Sequence, residues 1–337
     1  MPDARRALPV VSALVLSAGL LSACGGDDED KLVIYNAQHE ELVDEVVKAF
    51  TDETGIEVTM RNGSDLELAN QLVAEGDASD ADVFLTENSP AMAAVERAGL
   101  FADLDADTLN QVPAQYRPPT GKWTGVAART TIFVYNKTKV QPDQLPKSML
   151  DLQKPEWKGR WGAPPARPDF QAIVSALLEL KGEAATAQWL AGMKANAVLE
   201  DNNVSTLEAV NAGEIDGGII YHYYWYRDQA ETKENSANTA LHYFKNSDPG
   251  AFISVSGGGV LESSKKKDQA QQFIRFVTSK AGQEVLEKGT SFEYPVASGV
   301  PANPALPPLD SLQAPKVDPS ALNAQKVSDM MTAAGLL

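Results

Sequence analysis

From Leu32 to Arg97 the chain alternates short apolar runs with segments of helical period, and few folds accommodate that rhythm. Leu32-Val33-Ile34-Tyr35 reads as a buried strand. After the loop 36–40, Leu42, Val43, Val46, Val47 and Phe50 recur at helical spacing, and Gly55 marks a stop. Residues 56–60 alternate as a strand, and 66–74 read as a helix with Leu66, Leu68, Leu72 and Val73 turned inward. Residues 81–85 form another apolar run, and 90–97 another helix. A βαβαβα series predicts an α/β domain with a largely parallel sheet. Ligands of such sheets collect beyond the carboxyl ends of the strands. His39 and Glu87 each follow one such end, so topology aims both at one crevice. The plainer roles are a helix-capping histidine and an acid favoured by a helix dipole.

The pattern restarts at Trp123. Residues 130–135 read as a strand opening a second module, with Arg129 at its start. The prolines of Pro164-Pro165-Ala166-Arg167-Pro168-Asp169 predict a rigid loop before a helix over 170–180, whose start can hold an anion. Helices are expected over 184–195 and 205–212, and a glycine turn with a short buried strand over 214–220. Residues 252–255 read as a strand returning to the first module, ahead of Gly257-Gly258-Gly259. Helices over 267–278 and 282–288 follow, then a proline-rich surface connection over 295–319 and a closing helix over 319–334. Two α/β lobes joined by two or more crossings describe a hinged binding protein with its cleft between them. The expected division is 31–128 with 254–304 against 129–253 with 305–337.

Chemistry is densest at Tyr221-His222-Tyr223-Tyr224-Trp225-Tyr226, in a chain whose aromatic content is 7%. Strand alternation would send Tyr223 and Tyr224 to opposite faces, whereas at a helix start both phenol oxygens reach one point. The plainer reading is an aromatic interface or a half-buried edge.

At the amino end, Arg5 and Arg6 precede an apolar run over 8–21 and the sequence Leu21-Ser22-Ala23-Cys24. Residues 1–23 thus read as a signal peptide, with the single cysteine placed to carry diacylglycerol rather than to lie buried as a free thiol. Residues 24–30 read as an acidic tether. No cysteine remains for a disulfide, so stability rests on the core, and roughly 300 residues suffice for two of them. A net charge of -17, one unit more negative without the leader, argues against nucleic acid. It also disfavours adsorption to anionic lipid and leaves the acyl anchor as the membrane contact.

Val33-Ile34-Tyr35-Asn36-Ala37-Gln38-His39, Ala81-Asp82-Val83-Phe84-Leu85-Thr86-Glu87 and Tyr223-Tyr224-Trp225 stand in order and at fitting distances. Together they resemble the periplasmic ferric-iron-binding proteins of ABC transporters, the bacterial transferrins. Trp189–Lys194, Asn211–Asp216, Asp248–Ala251 and Glu293-Tyr294-Pro295 extend the likeness from about residue 31 to the carboxyl end. The resemblance implies a two-lobed periplasmic-binding-protein fold of type II, with mixed sheets in each lobe. It implies Fe(III) held by His39, Glu87, Tyr223 and Tyr224, with the tyrosines and the His–Glu pair on opposite lobes. The chemistry agrees: two phenolates and a carboxylate balance three positive charges, imidazole is a fourth donor, and room is left for an anion or water. Phosphate-using members have a Ser-Gly-Ala turn and two asparagines; here the turn becomes Ala166-Arg167-Pro168-Asp169, Asn203 fits one asparagine, and Tyr221 replaces the other. Arg129 and Arg167 are therefore candidates to pair with carbonate, citrate or another anion. Tyr221 is a candidate third phenolate or a packing partner of Trp225, and His222 a supporting residue. The implied partner is an ABC transporter permease, served by a lipid-anchored extracytoplasmic monomer.

Other cargoes use the same architecture. A small organic cation of the thiamine or polyamine kind, boxed by Tyr223, Trp225 and Tyr226 through cation–π contacts, is the leading alternative. An enzyme is the weaker reading, because the chain has no G-x-S-x-G elbow, P-loop, HExxH or nucleophilic cysteine, and Gly257–Gly259 lacks dinucleotide spacing.

Overall fold

The computed structural model describes residues 30–337. The expected signal peptide, Cys24 and the tether through Glu29 lie outside the described residues. In chain order the elements are β1 (Leu32–Ala37), α1 (Glu40–Thr54), β2 (Val58–Asn62), α2 (Asp65–Glu75), β3 (Val83–Thr86), α3 (Ser89–Arg97), α4 (Ala106–Gln111) and β4 (Thr124–Asn136). Next come β5 (Trp161–Ala163), α5 (Pro168–Asn196), β6 (Ala197–Leu199), α6 (Asn203–Ala212), β7 (Gly217–Tyr221), α7 (His222–Glu231) and β8 (Thr239–His242). The chain closes with β9 (Ile253–Val260), α8 (Lys267–Val277), α9 (Lys280–Lys288) and α10 (Ala324–Ala333).

Among the described residues nine strands form one curled sheet in the order β2-β1-β3-β9-β4-β7-β5-β6, with β8 beside β4. In one half, β1 runs parallel to β2 and β3; in the other, β5 runs parallel to β6 and β7. The halves are stitched by β4 and β9. The first part of β4, Thr124–Thr130, pairs antiparallel with β9, and its last part, Thr131–Tyr135, pairs antiparallel with β7. Arg129 therefore lies mid-strand at the crossing, not at a strand start as the sequence predicted. Ahead of it the ladder with β9 shifts register between Gly125 and Ala127 and then runs on through Ala127 and Ala128, both buried.

Helices pack on both faces. Leu42, Val43, Val46 and Phe50 of α1 pack with Phe273, Ile274 and Phe276 of α8 over the first half. Phe170, Ile173 and Trp189 of α5 meet Met149, Trp161 and Phe133 over the second. Gly55 ends α1 in the left-handed conformation at φ 73°, as its position predicts. In α2, Leu68 and Leu72 face inward four residues apart, but Val73 is 48% exposed because the next position on a helix is rotated away from that face. The helix expected over 170–180 begins earlier, at Pro168, and α5 runs through the segment expected over 184–195 with a break at Gly182 (φ 77°).

Gly257–Gly259 form part of β9 rather than a loop after it. A Cβ on Gly257 would fall 2.3 Å from Met92 Cγ, and one on Gly259 2.7 Å from Phe101 Cε1, so the helix layer sits directly on the strand. The short strands β5, β6 and β8 escaped the pattern because three or four residues carry no readable alternation. The closing helix is confined to α10. No helix among the described residues is long and apolar enough to cross a membrane.

Candidate metal centre

Two sets of three parallel strands deliver the site from their carboxyl ends. His39 follows β1, Asp65 follows β2, and Glu87 with Asn88 follow β3; Asp169 follows β5, Asn203 follows β6, and Tyr223 with Tyr224 follow β7. The two sets converge between the halves of the sheet, at the topological position where α/β sheets bind ligands. Each strand is followed by a helix start, so several helix amino termini point their positive ends into the same space, which favours anionic groups there.

His39 sits at the cap position of α1 yet makes no side-chain cap bond, which frees its ring for the cleft. Its Nε2 is 3.4 Å from Glu87 Oε1 and 3.6 Å from Glu293 Oε1, and it is buried without a hydrogen-bond partner. Burial lowers the His39 pKa below its ordinary value, so the imidazole is held neutral, the form that ligates metals. The ring lies edge-on to Tyr223 with centroids 5.1 Å apart.

Tyr221 ends β7, and α7 begins immediately after it. In the first turn of α7 the rings of Tyr223 and Tyr224 lie 4.2 Å apart, their planes 31° from parallel. Tyr223 OH donates to Glu87 Oε1 at 2.8 Å, and Tyr224 OH donates to Asp169 Oδ2 at 3.1 Å. Tyr223 OH also lies 3.4 Å from Asp169 Oδ2. Burial, then the nearby Asp169 and Glu87 carboxylates, raise both phenols well above their ordinary pKa, so the metal-free phenols stay protonated. Burial likewise pushes the Glu87 and Asp169 carboxyls up to about 7.

Asp169 was not singled out as a site residue by the sequence. It occupies the first turn of α5 and is fully surrounded: Asn88 Nδ2 donates to Oδ1 at 3.0 Å, and Asn203 Nδ2 to Oδ2 at 2.9 Å. The signal was present in the departure of the 166–169 turn from the Ser-Gly-Ala pattern, read there as the loss of an anion site. The turn also brings in an acid of its own.

The other candidates separate. Asn203 contacts the site through Asp169. Tyr221 is fully buried, and its OH lies 3.4 Å from Asn88 Oδ1 and 3.3 Å from the Asp169 carbonyl, one layer behind the other tyrosines. Arg129 is fully buried, paired with Glu293 at 2.5 Å, with Cζ 5.8 Å from the Tyr223 ring centre. Arg167 is exposed, and its Nε donates to the Asp201 carbonyl at 2.7 Å. His222 is buried against Tyr294 and accepts from the Thr130 N–H, a structural role. Trp225 pairs with Tyr226 and donates to Thr239, and Tyr226 reaches Tyr243, so these rings do not join Tyr223 in an aromatic box. Among the described residues no three His, Cys, Asp or Glu side chains group as a metal site on their own. The arrangement depends on its phenol oxygens, which suits a hard, highly charged cation rather than a thiophilic one.

Over residues 79–321 the chain matches the bacterial extracellular solute-binding proteins, and it belongs to that family. Its architecture is the two-lobed α/β fold of periplasmic binding proteins: iron-bound HitA from Pseudomonas aeruginosa aligns with a TM-score of 0.85 at 41% identity, over 91% of this chain and 99% of that one. The chain is 58% identical over 328 residues to the Fe(3+)-binding periplasmic protein of Serratia marcescens, covering 97% of this sequence and 96% of the relative. It is 37% identical over 297 residues to the major ferric iron-binding protein of Neisseria meningitidis, covering 88% and 89%. A Trichodesmium protein in complex with iron and citrate aligns with a TM-score of 0.79 at 25% identity, over 91% of this chain and all of that one.

Proposed function

We propose that the protein is an extracytoplasmic carrier of ferric iron that delivers its cargo to an ABC transporter permease. The observation that carries this is the pairing of two adjacent phenols, Tyr223 buried and Tyr224 half-buried, with two carboxylates beside an unpartnered imidazole nitrogen. His39, Glu87, Tyr223 and Tyr224 are the proposed ligands, and Asp169 adds an oxygen from the chain itself. Five protein donors leave one position of a six-coordinate ion for a small anion such as carbonate, or for water. Four anionic oxygens exceed the three charges of Fe(III) by one, and Arg129, set behind the Tyr223 ring, is already paired with Glu293. Arg129 acts from behind the site while bound to Glu293, and Arg167 has no part in it.

In this reading residues 31–128 with 254–304 and residues 129–253 with 305–337 move as two lobes about β4 and β9, and iron draws them together. The protein acts as a monomer without enzymatic activity, and Cys24 anchors it by lipid at the extracytoplasmic face of the membrane. The organic-cation reading loses its support because Trp225 and Tyr226 face other partners.

The test is a visible absorption titration of protein truncated after Cys24 with ferric citrate. Phenolate bound to Fe(III) gives a charge-transfer colour. Colour saturating at one iron per chain, and lost in Tyr223→Phe or Tyr224→Phe, is expected. A colourless protein across neutral pH, with and without carbonate or phosphate, would sink the reading.

A further inference from the structure

We infer that Asn88 is the positioning residue that makes lobe closure and the iron ligand set a single event. The inference rests on the ferric reading above and on Asp169 as a ligand. Asn88 lies between β3 and α3, is 2% exposed and makes no cap bond to its own helix. Its carboxamide instead reaches four other elements. Nδ2 donates to Asp65 Oδ2 at 3.1 Å and to Asp169 Oδ1 at 3.0 Å. Oδ1 accepts from Ser254 Oγ at 3.0 Å and lies 3.4 Å from Tyr221 OH.

A carboxamide has two N–H donors and one oxygen with two lone pairs, and here all of them are used. The two acids occupy one end and the two hydroxyls the other, so the amide has only one satisfied orientation. Asp65 opens α2 on the half of the sheet that bears β1–β3, whereas Asp169 and Tyr221 belong to the half that bears β5–β7. Ser254 lies on the crossing strand β9. The Asn88–Asp169 bond therefore joins one half to the other and is lost whenever they part. The Arg227–Glu41 ion pair, at 3.3 Å, also links α7 to α1, but Glu41 is 85% exposed and the pair is screened by water.

The consequence for the ligands is direct. Asn88 occupies Oδ1 of Asp169, so the oxygen left for the phenols is Oδ2, which Asn203 steadies. Asp65, the other acid on the amide, accepts the Glu87 N–H at 2.8 Å. One amide thus connects the backbone beneath Glu87 with the side chain of Asp169, ligands from opposite halves. An asparagine suits the task because each N–H serves one acid, whereas an aspartate in its place would add a third carboxylate.

A double-mutant cycle tests this: iron affinity in competition with citrate, and the rate of iron release to excess chelator, for the wild type, Asn88→Ala, Asp169→Ala and the double variant. Asn88→Ala is expected to weaken binding about 10–100-fold, as loss of an outer partner of a metal ligand does, and to speed release. It is expected to keep the charge-transfer band at saturation and to add no further loss in the Asp169→Ala background. Equal losses in both backgrounds, or none in either, overturn the inference while leaving the iron reading intact. A colourless wild type overturns both. Should the alanine variant fail to fold, Asn88→Ser enters the same cycle, since its hydroxyl is too short to bridge the two acids.

Discussion

Tyr223 and Tyr224 illustrate how burial makes a residue useful only once its partner arrives. Enclosed beside Asp169 and Glu87, both phenols are held protonated, and each donates its proton to a carboxylate. At the proposed site a ferric ion would displace those protons, exchanging O–H···O⁻ pairs for metal–oxygen bonds on the same atoms. Changing either tyrosine to phenylalanine keeps the ring packing but removes one donor, from Glu87 or from Asp169. The loss of iron affinity in a citrate competition should exceed the roughly 10–100-fold that removing an outer-shell partner costs. The Arg129–Glu293 pair makes a different prediction. Both groups are fully buried, and Glu293→Gln strands the guanidinium, so unfolding by urea should show a loss of about 3–5 kcal/mol. The adjacent tyrosines were legible in the sequence because their chemistry is concentrated there. Asp169 was not, since nothing local separates an acid at a helix start from one that helps to build a site.

β7 is the element that sets the tyrosines, and its glycines are part of the device. Gly217 pairs with Tyr135 of β4, and a Cβ there would meet Phe133 Cζ at 2.2 Å and the Val134 carbonyl oxygen at 2.9 Å. The second contact is backbone and does not yield. Gly217→Ala should therefore cost about 1–3 kcal/mol by thermal unfolding, and it should weaken iron binding by shifting the start of α7. The parallel strands β1–β3 and their helices were readable because β1 and β3 lie in continuous apolar runs, β2 alternates and the helices are long enough to show their period. β5, β6 and β8 were not, and β4 was expected as a shorter strand because its register continues through residues of low hydrophobic contrast.

At the scale of the whole molecule, burial holds the Asp65, Glu87 and Asp169 carboxyls near 7, above their unfolded values of about 4. The folded, iron-free protein binds more protons than the unfolded chain between about pH 4 and 7. Its stability should therefore fall as pH rises through that window, and Asp65→Asn should flatten the fall in calorimetric melting temperature. Iron binding has the opposite slope: affinity should rise with pH, more steeply below 7, where carboxyl as well as phenol protons are displaced. Scattering should report a smaller radius of gyration with iron than without, since the proposed ligands come from both halves of the sheet. The sequence by itself determined the α/β class, the succession of strands and helices in the first half, the two-lobed plan and the residue types suited to a hard cation, because hydrophobic period and local motif are written along the chain. Only the tertiary structure decided that Asp169 faces the tyrosines, that Arg129 is spent on Glu293, and that Asn88 spans the halves. Those pairings join residues far apart in the chain, and only the packing of one half of the sheet against the other brings them within hydrogen-bond reach.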